Sequence, residues 1–131
     1  MRVGLDTSVI LRLLVGQPED QAQRAQAYLD GLARRGDQPV VSDLVVAEAY
    51  FALQHHYGVP KKETLQALRQ MLTAGEIVPT GTAAEVLALA NLATAKPGFV
   101  DRMIHSAYTT DRGTMATLEQ AAAKLGSVEV L

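Results

Sequence analysis

Three acidic residues stand in stretches of sequence that are otherwise largely apolar. Asp6 follows Val-Gly-Leu, Glu48 lies within Val-Val-Ala-Glu-Ala-Tyr-Phe, and Asp101 lies within Phe-Val-Asp-Arg-Met-Ile. An ionised carboxylate is costly to remove from water unless a partner cation, a metal ion or a raised pKa compensates for the loss. Carboxylates in such surroundings therefore predict an active site.

A fourth acid, Glu119, follows the strand-like segment 114–118 in the way that Asp6 follows the segment 2–5. Asp111 is the alternative, but it precedes the same segment, in a Thr-Thr-Asp-Arg-Gly connection where a turn role is favoured. Open parallel sheets bind their ligands at the carboxyl ends of the strands, and this placement favours Glu119.

The acids are far apart in the sequence, so a common site requires a fold that brings them together. Periodicity, helix caps and breakers predict strands at residues 2–5, 38–42, 76–78, 114–118 and 127–130. They predict helices at residues 8–14, 18–33, 43–56, 60–74, 82–95, 100–108 and 119–125. This alternation predicts an α/β fold, a three-layer doubly wound arrangement with a parallel, about five-stranded sheet flanked by helices.

Length and composition limit the class of protein. A chain of 131 residues without a linker or a repeat predicts one domain over residues 1–131. The formal net charge of −2 argues against bulk electrostatic capture of nucleic acid, although local basic residues such as Arg102 could contact phosphates. The chain has no cysteine, no signal-peptide pattern and no apolar run long enough for a bilayer, so a cytoplasmic, non-membrane protein is expected.

In the predicted fold Glu48 and Asp101 are expected to point inwards. By helical spacing Glu48 shares a stripe with Leu44 and Phe51, and Asp101 shares one with Tyr108. Both carboxylates lie near the beginnings of their helices, which is the end nearest the carboxyl edge of the strands. Together with the acids at the strand ends, they are expected to form one acidic pocket.

Carboxylates packed together raise one another's pKa unless a cation neutralises them. Oxygen ligands favour Mg²⁺ or Mn²⁺, whereas Zn²⁺ prefers His or Cys, and a carboxylate-bound metal of this kind suits phosphate-ester chemistry. Asp6, Glu48, Asp101 and Glu119 are therefore predicted to be metal ligands and catalytic residues. The structural alternative makes Asp6 a helix cap, Glu48 an ion-pair partner and Asp101 a complement to the helix dipole.

Polar neighbours of these acids are candidates for supporting roles. Thr7 and Ser8 could donate hydrogen bonds that hold Asp6 or a metal-bound water, although simple capping of the following helix is equally compatible with the sequence. Arg102 and His105 are candidate contacts for the substrate. For His105 a packed side chain that hydrogen-bonds to the backbone is the favoured alternative.

Short motifs follow one another in a definite order along the chain. They are Leu-Asp-Thr-Ser-Val-Ile at 5–10, Val-Ser at 41–42 leading to Ala-Glu-Ala at 47–49, Phe-Val-Asp-Arg-Met-Ile at 99–104, Ala-Thr-Leu-Glu-Gln at 116–120 and Leu-Gly-Ser-Val-Glu-Val at 125–130. This ordered set, which covers nearly the whole chain, resembles the motifs of PIN domains and most closely those of VapC-type toxins.

The resemblance implies a Mg²⁺- or Mn²⁺-dependent endoribonuclease with a five-stranded parallel sheet. It also implies a homodimer whose ribonuclease activity a small VapB-like antitoxin inhibits. Asp6, Glu48 and Asp101 match the family's metal-site acids residue by residue. Apolar helix residues such as Val9 and Phe51 could serve self-association or the antitoxin, or could belong entirely to the core.

One position departs from the family pattern. The fourth acid is usually Asp after a strand that ends in Thr-Phe, whereas this chain has Thr117, Leu118 and Glu119. The longer glutamate could reach a metal through water or leave a second metal site weak. The alternative is therefore that the chain is a PIN-like interaction module that has lost its catalytic activity. A phosphatase or phosphotransfer domain is disfavoured because no second acid lies two residues after Asp6.

Overall fold

Five short strands overlap the segments that the sequence predicts, the third by Val78 alone, and every pairing between them is parallel. β1 (Arg2–Gly4), β2 (Gln38–Val41) and β3 (Val78–Pro79) form a three-stranded sheet in that order, and β4 (Met115–Thr117) and β5 (Val128–Val130) form a two-stranded sheet. The predicted α/β class, with parallel strands flanked by helices, is confirmed. The strands are divided between two hydrogen-bonded sheets, whereas the sequence predicts one.

The computed structural model describes all residues from 1 to 131, which separate into a first unit, Met1–Thr80, and a second unit, Gly81–Leu131. The α-helices are α1 (Thr7–Val15), α2 (Glu19–Arg35), α3 (Asp43–His55), α4 (Lys61–Thr73), α5 (Ala83–Leu87) and α6 (Phe99–Thr109). Two 3₁₀ helices span Leu92–Thr94 and Gln120–Leu125. No helix combines the length and the apolar character needed to cross a membrane.

Side-chain caps determine where two helices of the first unit begin. At the start of α3, Ser42 Oγ accepts a hydrogen bond from Val45 N at 3.2 Å. At the start of α1 the cap is Asp6, whose Oδ1 accepts from Val9 N at 3.1 Å, whereas Thr7 is the first residue of the helix. Each cap satisfies an N–H that has no partner inside its helix. The caps therefore start α1 and α3 directly after the carboxyl ends of β1 and β2.

The core of the first unit lies between its helices and the three-stranded sheet. α1 packs against α2 and α3, and α3 packs against α4. The largest fully buried apolar side chains of this unit come from all four helices and from β2: Ile10, Leu32, Leu68, Val41 and Val46. On α3 the buried residues are Val46, Ala49, Tyr50 and Leu53. This set defines which face of α3 is turned towards the core.

In the second unit α6 packs against α5 and β4, and its buried residues are Phe99 and Met103. The predicted helix over 82–95 is wrong in its second half, because α5 ends at Leu87 and a short 3₁₀ helix follows after a turn. Asn91 has a positive φ of 59° in that turn. Asparagine is one of the few residues that adopt this left-handed conformation readily, and it cannot do so inside an α-helix.

Candidate active site

Asp6 lies where the chain leaves β1 and enters α1. Its Oδ1 accepts hydrogen bonds from Ser8 Oγ at 2.6 Å and from Val9 N at 3.1 Å. These bonds, of which the one from Ser8 has the larger effect, hold the pKa of the Asp6 carboxyl below its usual value. The residue is exposed to solvent. Asp6 is therefore an ionised, accessible carboxylate at neutral pH, which is the form that binds a divalent cation.

Replacing Ser8 by Ala is expected to raise the pKa of Asp6 towards its usual value, because the strongest hydrogen bond to the carboxylate is lost. A lowered pKa stabilises the folded state above the pKa of the unfolded chain, and this contribution is lost as the pH falls through the folded pKa. Ser8→Ala should therefore be slightly less stable than the wild type at neutral pH, and the two should converge in strong acid.

An NMR titration of the Asp6 carboxyl in the metal-free protein measures this effect. Thr7→Ala is the matched control, because it removes a neighbouring hydroxyl group that makes no hydrogen bond to Asp6. We expect the pKa to move in Ser8→Ala alone. An unchanged pKa in Ser8→Ala would show that the hydroxyl does not hold the carboxylate in solution.

Glu48 lies on α3 outside the buried face of that helix. Glu48 is exposed, and so are its stripe neighbours Leu44, at 71% exposure, and Phe51, at 46%. The expectation that this stripe points inwards is wrong, because each residue turns the helix by about 100° and the core face is centred on Ala49 and Tyr50 instead. Glu48 is thus an accessible carboxylate within a partly apolar surface.

Asp101 lies in the first turn of α6 and is exposed. Ile104, at 44% exposure, and Tyr108, at 60%, are exposed on the same stripe. The predicted inward orientation is therefore wrong here as well, because Phe99 and Met103 occupy the buried face. A negative charge at this position also complements the dipole of α6, as the structural alternative requires.

Glu119 follows β4 by two residues and is exposed. Its backbone N–H donates to Thr117 Oγ1 at 3.0 Å, and the segment after it is a 3₁₀ helix where the sequence predicts an α-helix. Asp111 is also exposed, and it lies in the turn that follows α6. Glu119 therefore has the position beside a strand end that Asp111 lacks.

Arg102 and His105 line a cavity of about 220 Å³ in the second unit. Arg102 Nε donates to the carbonyl oxygen of Pro97 at 2.6 Å, and His105 Nε2 lies 2.7 Å from the carbonyl oxygen of Gly126. The favoured alternative for His105, a packed histidine that bonds to the backbone, matches this geometry. A role of either residue in substrate binding stays a prediction.

The four candidate acids divide evenly between the units. Asp6 and Glu48 belong to the first unit, and Asp101 and Glu119 belong to the second. Within either unit, no three Asp, Glu or His side chains gather closely enough to hold a metal ion. The chemistry of the donor set still fits a hard divalent cation, because all four are exposed carboxylates and Asp6 has a lowered pKa.

The chain matches the model of the PIN domain family over residues 3–123, so it belongs to the PIN domain family. PIN domains are generally nucleases that bind nucleic acid and usually use a divalent metal. The matched region includes all four candidate acids. A search of curated proteins found no match.

Proposed function

We propose that this protein is a Mg²⁺- or Mn²⁺-dependent endoribonuclease, acting in the cytoplasm as the VapC-like toxin of a toxin–antitoxin pair. The observation that supports this most directly is Asp6, an ionised and accessible carboxylate at the carboxyl end of β1. Its position inside a PIN domain supports hydrolysis of phosphodiester bonds. The family match extends across both units, which supports residues 1–131 acting as one PIN-like domain.

In this proposal the metal ligands are Asp6, Glu48, Asp101 and Glu119. If bound there, Mg²⁺ or Mn²⁺ would lower the pKa of a water and neutralise charge on the phosphate oxygens. Ser8 fixes the orientation of the Asp6 carboxylate through its hydrogen bond. The neighbouring Thr7, which makes no hydrogen bond to Asp6, would donate to a water of the proposed metal site. Arg102 and His105 would contact the substrate.

Incubation of the purified protein with single-stranded RNA tests the proposal. Cleavage should require Mn²⁺ or Mg²⁺, stop in EDTA and return when excess metal is added. Attack by water does not use the ribose 2′-hydroxyl group, so the products should carry no 2′,3′-cyclic phosphate. Cleavage that persists in EDTA, or cyclic phosphate ends, would contradict a metal-dependent hydrolysis. A DNA strand of the same sequence tests the restriction to RNA.

Glu119→Gln is expected to weaken Mn²⁺ binding or turnover more than Asp111→Asn does. The two substitutions remove the same charge, but only Glu119 lies at the carboxyl end of a strand, two residues after β4. Calorimetric titration of Mn²⁺ into both variants, with the wild type as reference, measures the difference. If Asp111→Asn alone impairs binding, Asp111 is the fourth acid and Glu119 is not a metal ligand.

An exposed apolar surface on α3 supports the proposed partners. Leu44 and Phe51 lie on either side of Glu48, and the ring of Phe51 stacks on His55 with 6.2 Å between the ring centroids. Grouped exposed apolar side chains are typical of an interface. We propose a homodimer and a small VapB-like antitoxin, whose arginine could form bidentate bonds with the metal-site carboxylates.

Sedimentation of the pure protein at tens of micromolar is expected to give a dimer. A monomer at that concentration would contradict self-association. Co-expression with the adjacent small reading frame should give a stable complex with lower nuclease activity. A complex with full activity would show that the partner does not act at the metal site.

The alternative function, a PIN-like interaction module without catalysis, is favoured by Glu119 at the position where the family usually has Asp. Calorimetry with Mn²⁺ separates the two functions, because a catalyst must bind the metal stoichiometrically. A folded protein that binds no Mn²⁺ and still forms a complex with the antitoxin would favour the interaction module.

A further inference from the structure

A cavity of about 360 Å³ lies between α1 and α2 in the first unit. One face of α2 contributes Gln21, Arg24, Ala25 and Tyr28, whose spacing places them on a single stripe. The wall opposite belongs to α1 and contains Ser8, Val9 and Arg12. The α2 side of this cavity could be recognised from the sequence, because Arg24 and Tyr28 are four residues apart and therefore share a helix face.

The residues around this cavity favour an anionic, flat ligand. Its charged lining residues are both cationic, Arg12 and Arg24, although the chain has a formal net charge of −2. Neither guanidinium forms an ion pair with a carboxylate of the protein. Tyr28 is 46% exposed, so part of its ring remains accessible. Guanidinium groups bind phosphates, and an accessible aromatic ring stacks on a nucleic-acid base.

The two arginines differ in burial and in their hydrogen bonds. Arg12 is half-buried, and its Nη1 donates to the carbonyl oxygen of Gln17 at 2.5 Å and to the hydroxyl group of Tyr57 at 3.3 Å. These bonds hold its guanidinium group at the wall of the cavity. Arg24 is exposed and can reach a ligand without breaking such contacts. Arg12 thus supplies a positive charge that is hydrogen-bonded to the protein, and Arg24 supplies one that is exposed to solvent.

The cavity is connected to Asp6 through one residue. Ser8 lines the cavity, and its hydroxyl group donates to Asp6 Oδ1 at 2.6 Å. A ligand in contact with Ser8 is therefore one hydrogen bond away from the carboxylate that we propose as a metal ligand. A nucleotide in this cavity would be a neighbour of the phosphate that is cleaved.

We propose that the α1–α2 cavity binds one nucleotide of single-stranded RNA, next to the scissile phosphate. The base stacks on Tyr28 beside the apolar surface of Val9 and Ala25, and Arg24 contacts the adjoining phosphate. The position of this subsite relative to the cleaved bond rests on the proposed ribonuclease function. Binding of RNA at the cavity is an independent property, because it needs no metal.

Anisotropy of a short fluorescein-labelled RNA strand, measured in EDTA, tests the subsite without cleavage. Tyr28→Ala should weaken binding about tenfold, whereas Tyr28→Phe should bind within about twofold of the wild type because the stacking surface is kept. Arg24→Ala should weaken binding and reduce the salt dependence of log K by about 0.7, the loss of one phosphate contact on a single strand.

Arg34→Ala is the matched control for charge, because Arg34 is exposed on the same helix and does not line the cavity. It should leave RNA affinity within about twofold at physiological salt, since separated surface charges are screened. Tyr28 and Arg24 are both exposed, so their variants should fold, and circular dichroism checks this. Arg12 is left unchanged because its hydrogen bonds connect it to the rest of the first unit.

Wild-type RNA affinity in both Tyr28→Ala and Arg24→Ala would overturn the subsite. Normal RNA affinity in both variants together with loss of binding to the co-expressed antitoxin would also overturn the subsite. The cavity would then be a protein-binding site. Loss of RNA affinity together with an absence of metal-dependent cleavage in the wild type would support the subsite and reject the ribonuclease function. Normal affinity together with active cleavage would reject the subsite alone.

Discussion

Asp6→Asn is expected to abolish metal-dependent RNA cleavage and to leave the fold intact. Asparagine is as good a helix cap as aspartate, so its side-chain oxygen can still accept the hydrogen bond from Val9 N at the start of α1. The negative charge that the metal needs is lost. A metal ion contributes several kcal/mol to such reactions, so the rate should fall at least about a hundredfold. The free energy of unfolding should change by less than about 1 kcal/mol.

Initial rates of RNA cleavage report the loss of the negative charge. Chemical denaturation of the same samples reports the loss of the helix cap. Asp6→Ala should lose the activity and also about 1 kcal/mol of stability, because alanine cannot cap α1. Asp20→Asn, which neutralises an exposed acid in the first turn of α2, should keep wild-type activity and lose at most about 1 kcal/mol of stability. Cleavage by Asp6→Asn at the wild-type rate would remove Asp6 from the proposed metal site.

Asp101→Asn extends this experiment to the second unit. Equal loss of activity in Asp6→Asn and Asp101→Asn is expected if both carboxylates are metal ligands. Full activity in Asp101→Asn would favour its structural role at the beginning of α6, where a negative charge complements the helix dipole.

Gly113→Ala is expected to destabilise the protein by about 1–3 kcal/mol, the usual cost of forcing extra atoms into an occupied space. Gly113 lies in the connection between α6 and β4, and a Cβ atom at this position would overlap the backbone carbonyl oxygen of Tyr108. Backbone atoms cannot move away as the end of a flexible side chain can. The connection must therefore change shape, or the end of α6 must shift.

Gly4→Ala is the matched control for the extra methyl group. Gly4 lies in β1, and a Cβ atom there would have no atom outside its immediate neighbours within 4 Å. Urea denaturation should give Gly4→Ala a stability close to that of the wild type and Gly113→Ala a lower midpoint with an unchanged slope. Equal stability of the two variants would show that the connection accommodates a side chain.

The positions of the strands and the beginnings of several helices could be predicted because they depend on neighbouring residues. Ser42 caps α3 through an N–H only three residues away. The contact between Ser8 and Asp6 is equally local. The failure over 82–95 has a local cause too, since Asn91 carries the turn signal and alanine-rich neighbours favour a helix on both sides of it.

The orientation of Glu48 and Asp101 was decided by tertiary structure. Apolar residues occur all around α3, so the sequence does not distinguish a stripe containing Leu44 and Phe51 from the buried one containing Val46 and Tyr50. Only packing against α1 and α4 makes that choice, because burial is a property of the surfaces that meet.

The sequence by itself therefore determined the family motifs, the order of strands and helices and the four candidate acids. Tertiary structure decided which side chains are exposed, that Arg12 and Tyr28 line one cavity, and that Gly113 has no room for a side chain. The physical reason is the range of the interactions. Caps and turns involve residues close in the chain, whereas burial, cavities and steric overlap depend on segments that are brought together only by folding.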